Sequence, residues 1–252
     1  NIATGVGADD TSDAYSVTIN TRAFNAAGDT NFLNKGTVTL GNEAADVLTF
    51  TGGLATTGNT SNPATVNAAG TINTTDTRMD IGAVTLTADT TFDTGNAAAG
   101  IMNIGAVTSG TNALTFDSGS TALATMGLTS MVDASGGLTI RDSGGLATIG
   151  DIGSGTAGAV TITDSTGGVT FNANVDSTTF TIAKALDAAV ITFTGDTVDI
   201  TTAFNPNIAT GVGADDTSDA YSVTINTRAF NAAGDTNFLN KGTVTLGNEA
   251  AD

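Results

Sequence analysis

The residues best equipped for chemistry in this chain are carboxylates. Gly7-Ala8-Asp9-Asp10-Thr11-Ser12-Asp13 holds three of them within five residues, and the same segment returns at Asp215, Asp216 and Asp219. Three carboxylates with nearby backbone carbonyls offer the hard oxygen ligands that calcium prefers, so Asp9, Asp10 and Asp13 and their copies are candidate calcium ligands. Their spacing follows neither the EF-hand loop nor the GGxGxD nonapeptide of calcium-binding β-rolls. A solvated acidic turn is the alternative. A second chemistry needs paired carboxylates beside a base, as in β-helix enzymes that cleave acidic polysaccharides. The candidates are Asp9, Asp10 and Asp13 with Arg22, and Arg141 beside Asp142. Neighbouring Asp residues on a strand point to opposite faces, so Asp9 and Asp10 converge only in a turn.

Other chemistries are excluded by composition. The chain contains neither His nor Cys, which removes Ser-His-Asp and Cys-His nucleophilic catalysis, zinc sites of the usual nitrogen and sulfur type, and any disulfide framework. Lys35-Gly36-Thr37 lacks the upstream glycine of a phosphate-binding loop, and Gly5-Val6-Gly7 does not continue as GxGxxG. A net charge of −18, with Glu only at Glu43 and Glu249, leaves no basic stripe. Nucleic acid and anionic membrane surfaces are therefore poor partners. The charge-free stretch around Thr94 to Phe116 is interrupted by Asn, Ser, Thr and Gly, so it is no membrane span. On these grounds the chain is expected not to be an enzyme and to hold no cofactor, calcium apart.

The elements that must position these residues are strands. About a fifth of the residues are Thr, alternating with Val, Ile, Leu and Phe. Apolar-Thr-apolar triplets recur at Val17, Val38, Leu48, Val84, Leu114, Leu138, Val160, Val169, Phe180 and Ile191, and Val198-Asp199-Ile200 has the same shape. Period-2 alternation puts the apolar pair on one face and Thr on the other, and the branched Cβ of Thr suits a pleated surface. Between triplets lie turn clusters such as Asp117-Ser118-Gly119-Ser120, Asp142-Ser143-Gly144-Gly145 and Asp164-Ser165-Thr166-Gly167-Gly168. No segment reads as a capped amphipathic helix.

The spacing of the triplets, roughly 18 to 25 residues with intermediate half-steps, predicts an all-β parallel β-helix, a solenoid with coils of about 20 residues. The alternative is a tandem of immunoglobulin-like β-sandwiches. The absence of Trp and the small side chains favour the solenoid's narrow core.

Residues Asn1 to Asp46 recur letter for letter as Asn207 to Asp252, an offset of 206 residues. Residues 1–206 thus read as one full sequence repeat and 207–252 as the start of the next. At about 4.8 Å per coil, some ten coils would give a period of about 45–50 Å. Neither end shows a segment that would cap a strand edge, so the chain is expected to continue in both directions, or copies to stack head to tail. Thr-x-Thr pairs such as Thr85/Thr87 and Thr192/Thr194 raise an ice-binding reading, but they begin at irregular intervals.

The alternation in AVTLTADTTFDTGNAAAGIMNIGAV (Ala83 to Val107) and AVTITDSTGGVTFNANVDS (Ala159 to Ser177) resembles giant bacterial surface proteins of the filamentous haemagglutinin type. The resemblance covers most of the period in rhythm and composition, without a diagnostic motif. It implies a secreted right-handed parallel β-helix serving as a stalk, adhesin or surface fibre. The expected function is a structural extracellular fibre of tandem identical repeats on a cell surface, partnered by copies of itself head to tail or laterally. The alternatives are an adhesin that binds glycan or another cell through the solenoid face, and a polysaccharide-cleaving β-helix. An adhesin requires a cleft or an exposed aromatic patch, for which Tyr15 and Phe24 are the candidates.

Overall fold

Strands rich in Thr and β-branched residues need partners, and in this chain each finds one about one coil further along. The computed structural model describes residues 14–58, 61–121, 123–183, 189–206 and 220–247, and these form 22 strands and no helix. All eleven triplets lie in strands. Every strand pairing is parallel, which excludes the immunoglobulin-like alternative, and the stack makes a β-solenoid of about nine turns.

Each coil has three strand-bearing faces. On the first, Val17, Val38, Val66, Val84 and Val107 stand in register on successive rungs, and the column continues through Met131, Ile152, Val175 and Val198 to Phe230. The second face begins with the strand Ala23–Ala26, on which Phe24 is followed by Leu48, Ile72, Phe92, Phe116, Ile140 and Ile162. The third begins with Thr30–Asn31 and stacks Leu54, Met79, Met102, Met126, Ala147, Val169, Ile191, Val223 and Val244. Several longer strands run through a corner and serve two faces. Thr65–Thr74, for example, pairs first with Thr37–Leu40 and then with Val47–Phe50.

Coils on the first face measure 18 to 28 residues between Val17 and Val198. They average nearer 23 than 20, with the extra residues taken up between the paired positions. The period therefore holds fewer coils than the ten expected from the sequence.

Alternation fills the core. Inward Val, Ile, Leu, Met and Phe are buried, including Phe50, Phe92, Phe116, Phe171, Phe180 and Phe193 at 0% exposure. Stacking in register puts like side chain on like, as with Phe171 above Phe193.

The corner after the second face is built from a recurring Asp-Ser/Thr pair. Asp93 and Asp117 each accept a hydrogen bond from the amide two residues on, at Gly95 and Gly119 (2.8 and 2.9 Å). The next residue in each case turns inward: Thr94 Oγ1 donates to the Gly100 carbonyl (2.6 Å), and Ser118 Oγ to that of Ala124 (3.2 Å). On the next two rungs, Ser143 and Ser165 are both fully buried with their hydroxyls 2.7 Å apart, and Ser165 Oγ accepts the Gly168 N–H (3.0 Å). A side chain that satisfies the turn from inside lets a backbone corner sit against an apolar core. These serines look like exposed turn residues in the sequence.

Candidate functional site

The densest acidic segment, with Asp9, Asp10 and Asp13 and the copies Asp215, Asp216 and Asp219, lies outside the described residues. Among the described residues no group of three or more His, Cys, Asp or Glu is arranged to hold a metal ion.

Arg141 is the extra residue of a bulge, since Phe116 pairs with Ile140 and Asp117 with Asp142. The bulge throws the guanidinium outward along the stack. Its Nε meets Asp117 Oδ2 at 2.6 Å and its Nη2 reaches Asp93 Oδ2 at 3.7 Å, one rung further. The cation thus reaches the carboxylates of the two preceding rungs. Burial pushes the Asp93 carboxyl above its ordinary range, Asp117 and Asp76 add to the rise, and the Gly95 N–H and Arg141 oppose it. Arg22, the other proposed partner of an acid pair, is exposed at the first coil, many rungs from Arg141. The structure therefore does not bring the two arginines into one groove.

A second pair of stacked carboxylates lies on the first face. Asp176 is in register with Asp199, and its carboxyl is pushed up by burial first, then by Asp199 and Asp151. Stacked like charges at rung spacing repel.

The outward threonines line up although their sequence intervals are irregular. Thr71, Thr91, Thr115, Thr139, Thr161 and Thr181 occupy six consecutive rungs of the second face. On the third face Thr148, Thr170, Thr192, Thr224 and Thr245 occupy five. Each is a single file. The column beside the first row holds Asn73, Asp93, Asp117 and Asp142 rather than a second Thr, so the paired rows that an ice-binding face would need do not form there.

Neither aromatic candidate for adhesion is fully exposed. Phe24 is half-buried against the core with its ring 5.5 Å from that of Phe50; Tyr15 is half-buried at the first coil, and its copy Tyr221 is fully buried. A shallow cavity of about 340 Å³ on the third face is lined by Asn103, Gly127, Thr148, Gly150 and Asn172 with Ile104 and Leu128. Gly127 opens it by leaving a gap in the outward column, and no aromatic ring lines it.

A larger opening, of about 530 Å³, lies at the end of the stack that carries the second copy. Ile225, Phe230, Ala232, Phe238 and Leu246 line it, with Thr227, Arg228, Thr236 and Gly247 at its edge. Leu246 is 66% exposed there. The first-copy counterparts of the apolar set are Ile19, Phe24, Ala26, Phe32 and Leu40. Phe32 and Leu40 are fully buried, because a further rung lies on them: Phe24 and Ala26 carry Leu48 and Phe50, and Leu40 carries Ala68.

No protein-family model matches this chain, and neither a curated protein nor a solved structure does.

Proposed function

We propose that the chain is a segment of an extracellular fibre or stalk, a run of identical β-solenoid repeats that works mechanically rather than by turning over a substrate. The observation that carries this reading is that the second copy stacks on the first repeat as a further run of the same solenoid: Ile191 pairs in parallel with Val223 and Val198 with Phe230, and Val223 goes on to Val244 as Val17 does to Val38. Perfect identity over 46 residues, outward positions included, suits repetition better than the maintenance of one site. The resemblance to surface proteins of the filamentous haemagglutinin type implies the same use and a secreted location. The stacked carboxylates keep neighbouring fibres apart, or join them through cations.

Electron microscopy of particles carrying many repeats tests this. The expected object is a filament one solenoid wide, advancing about 42 Å per 206 residues at about 4.8 Å per coil. A string of separate globules of about 40 Å would overturn it, and the adhesive reading would then come forward.

A further inference from the structure

The described residues of the two copies share contacts but stand on different faces. Several contacts of the first coil recur in both. Asn34 Nδ2 donates to the Tyr15 carbonyl at 3.0 Å and Asn240 Nδ2 to that of Tyr221 at 2.9 Å, while the amides of Thr37 and Thr243 bond Ser16 Oγ and Ser222 Oγ at 3.2 and 3.1 Å. Val17 pairs with Val38 as Val223 pairs with Val244. Yet Val17 heads the first face, whereas Val223 sits on the third, directly after Ile191. Phe24 begins the second face, and its copy Phe230 follows Val198 on the first.

The offset can be read off the columns. From Val17 the first face takes eight coils to reach Val198, and Val223 lies two faces beyond it in the same turn. We infer that the 206-residue repeat advances eight and two-thirds coils, so that each successive copy in an array is turned by a third of a revolution about the fibre axis. This rests on the reading of the chain as a tandem fibre. Three copies make 26 whole coils, about 125 Å at 4.8 Å per coil, before the same surface returns to the same side. Any outward feature of the repeat, such as the Arg141–Asp117 ion pair, is then presented in three directions in rotation. A ligand or a neighbouring fibre that recognises one repeat meets its site from three sides along the filament, so lateral association builds bundles rather than flat ribbons.

Disulfide trapping in the 252-residue chain tests the offset cleanly, since the chain has no cysteine of its own. Register partners on adjacent parallel strands lie about 4.8 Å apart, within the Cα range a disulfide spans. Thr192→Cys with Thr224→Cys joins the third-face partners observed here. Asp199→Cys with Thr224→Cys joins the pair that a whole-coil repeat would create, because Thr18 stands on the first face. Thr148→Cys with Thr170→Cys lies within the first repeat and reports the solenoid itself. After mild oxidation, mass spectrometry of linked peptides from monomeric protein should show closure of the first and third pairs and not the second. Closure of the second pair instead of the first would overturn the fractional offset and leave the fibre reading intact. Closure of the third pair alone would mean that the second copy does not continue the stack, overturning both.

Discussion

The rings of Phe171 and Phe193 lie on adjacent rungs with centroids 5.1 Å apart and planes 12° from parallel, and Phe180 from the second face meets them edge-on at 5.2 Å each. Stacked register makes this contact: a parallel ladder sets residue above residue, so two phenylalanines 22 positions apart become a pair. With Phe204 and Phe230 close by, the cluster anchors the part of the core that leads into the second copy.

Phe193→Ala should therefore cost about 3–5 kcal/mol, the range for truncating a buried phenylalanine. Phe24→Ala, at the half-buried opening of the second face, should cost clearly less. Chemical denaturation of the two variants checks the order; equal losses would mean that the aromatic cluster carries no special share of the core.

Ser165→Ala should destabilise by about 1–3 kcal/mol, because it strands the buried Gly168 N–H and removes the partner of the Ser143 hydroxyl. The double variant Ser143→Ala with Ser165→Ala should cost less than the two single losses added together. A double-mutant cycle on thermal or denaturant midpoints reads the coupling.

Gly153 has φ +82°, and a Cβ there would lie 2.1 Å from the Asp176 carbonyl oxygen on the next rung. Gly153→Ala should lower stability by well over the roughly 1–2 kcal/mol that the left-handed backbone alone costs an alanine. Gly28→Ala, where nothing lies within 4 Å and φ is ordinary, should be neutral or slightly stabilising through the unfolded chain. Melting temperatures of the two variants check both directions.

Asp176 is a carboxyl whose folded-state pKa is raised, by burial and then by Asp199 and Asp151. The ionised form is the one folding disfavours, so the penalty is present at neutral pH and is relieved as pH falls through the raised value. Asp176→Asn should raise the melting temperature at pH 7, with the gain fading as the pH drops below the ordinary Asp range of about 4. Added salt at pH 7 should shrink the same gain by screening these carboxylates. A gain that persists at pH 3 would argue against charge as its cause.

Local chemistry carried much of this in the sequence itself. Alternation of Thr with Val, Ile, Leu and Phe settled that residues such as Val160-Thr161-Ile162 form a strand with Thr outward, because side chains on a strand alternate with period two. The absence of His and Cys bounded the chemistry before any fold was considered, and the repeated 46 residues marked the chain as periodic. What tertiary structure alone decided was alignment across coils. The threonines at 71, 91, 115, 139, 161 and 181 are irregular in sequence and regular in space, because extra residues are taken up between the paired positions while parallel pairing restores the register. For the same reason Ser118 and Ser143, polar residues in glycine-rich turns, end up fully buried. The turn of each copy relative to the last is of this kind too. It depends on how many faces 206 residues fill once the segments between paired positions have taken their share, and no pattern within a single strand records that number.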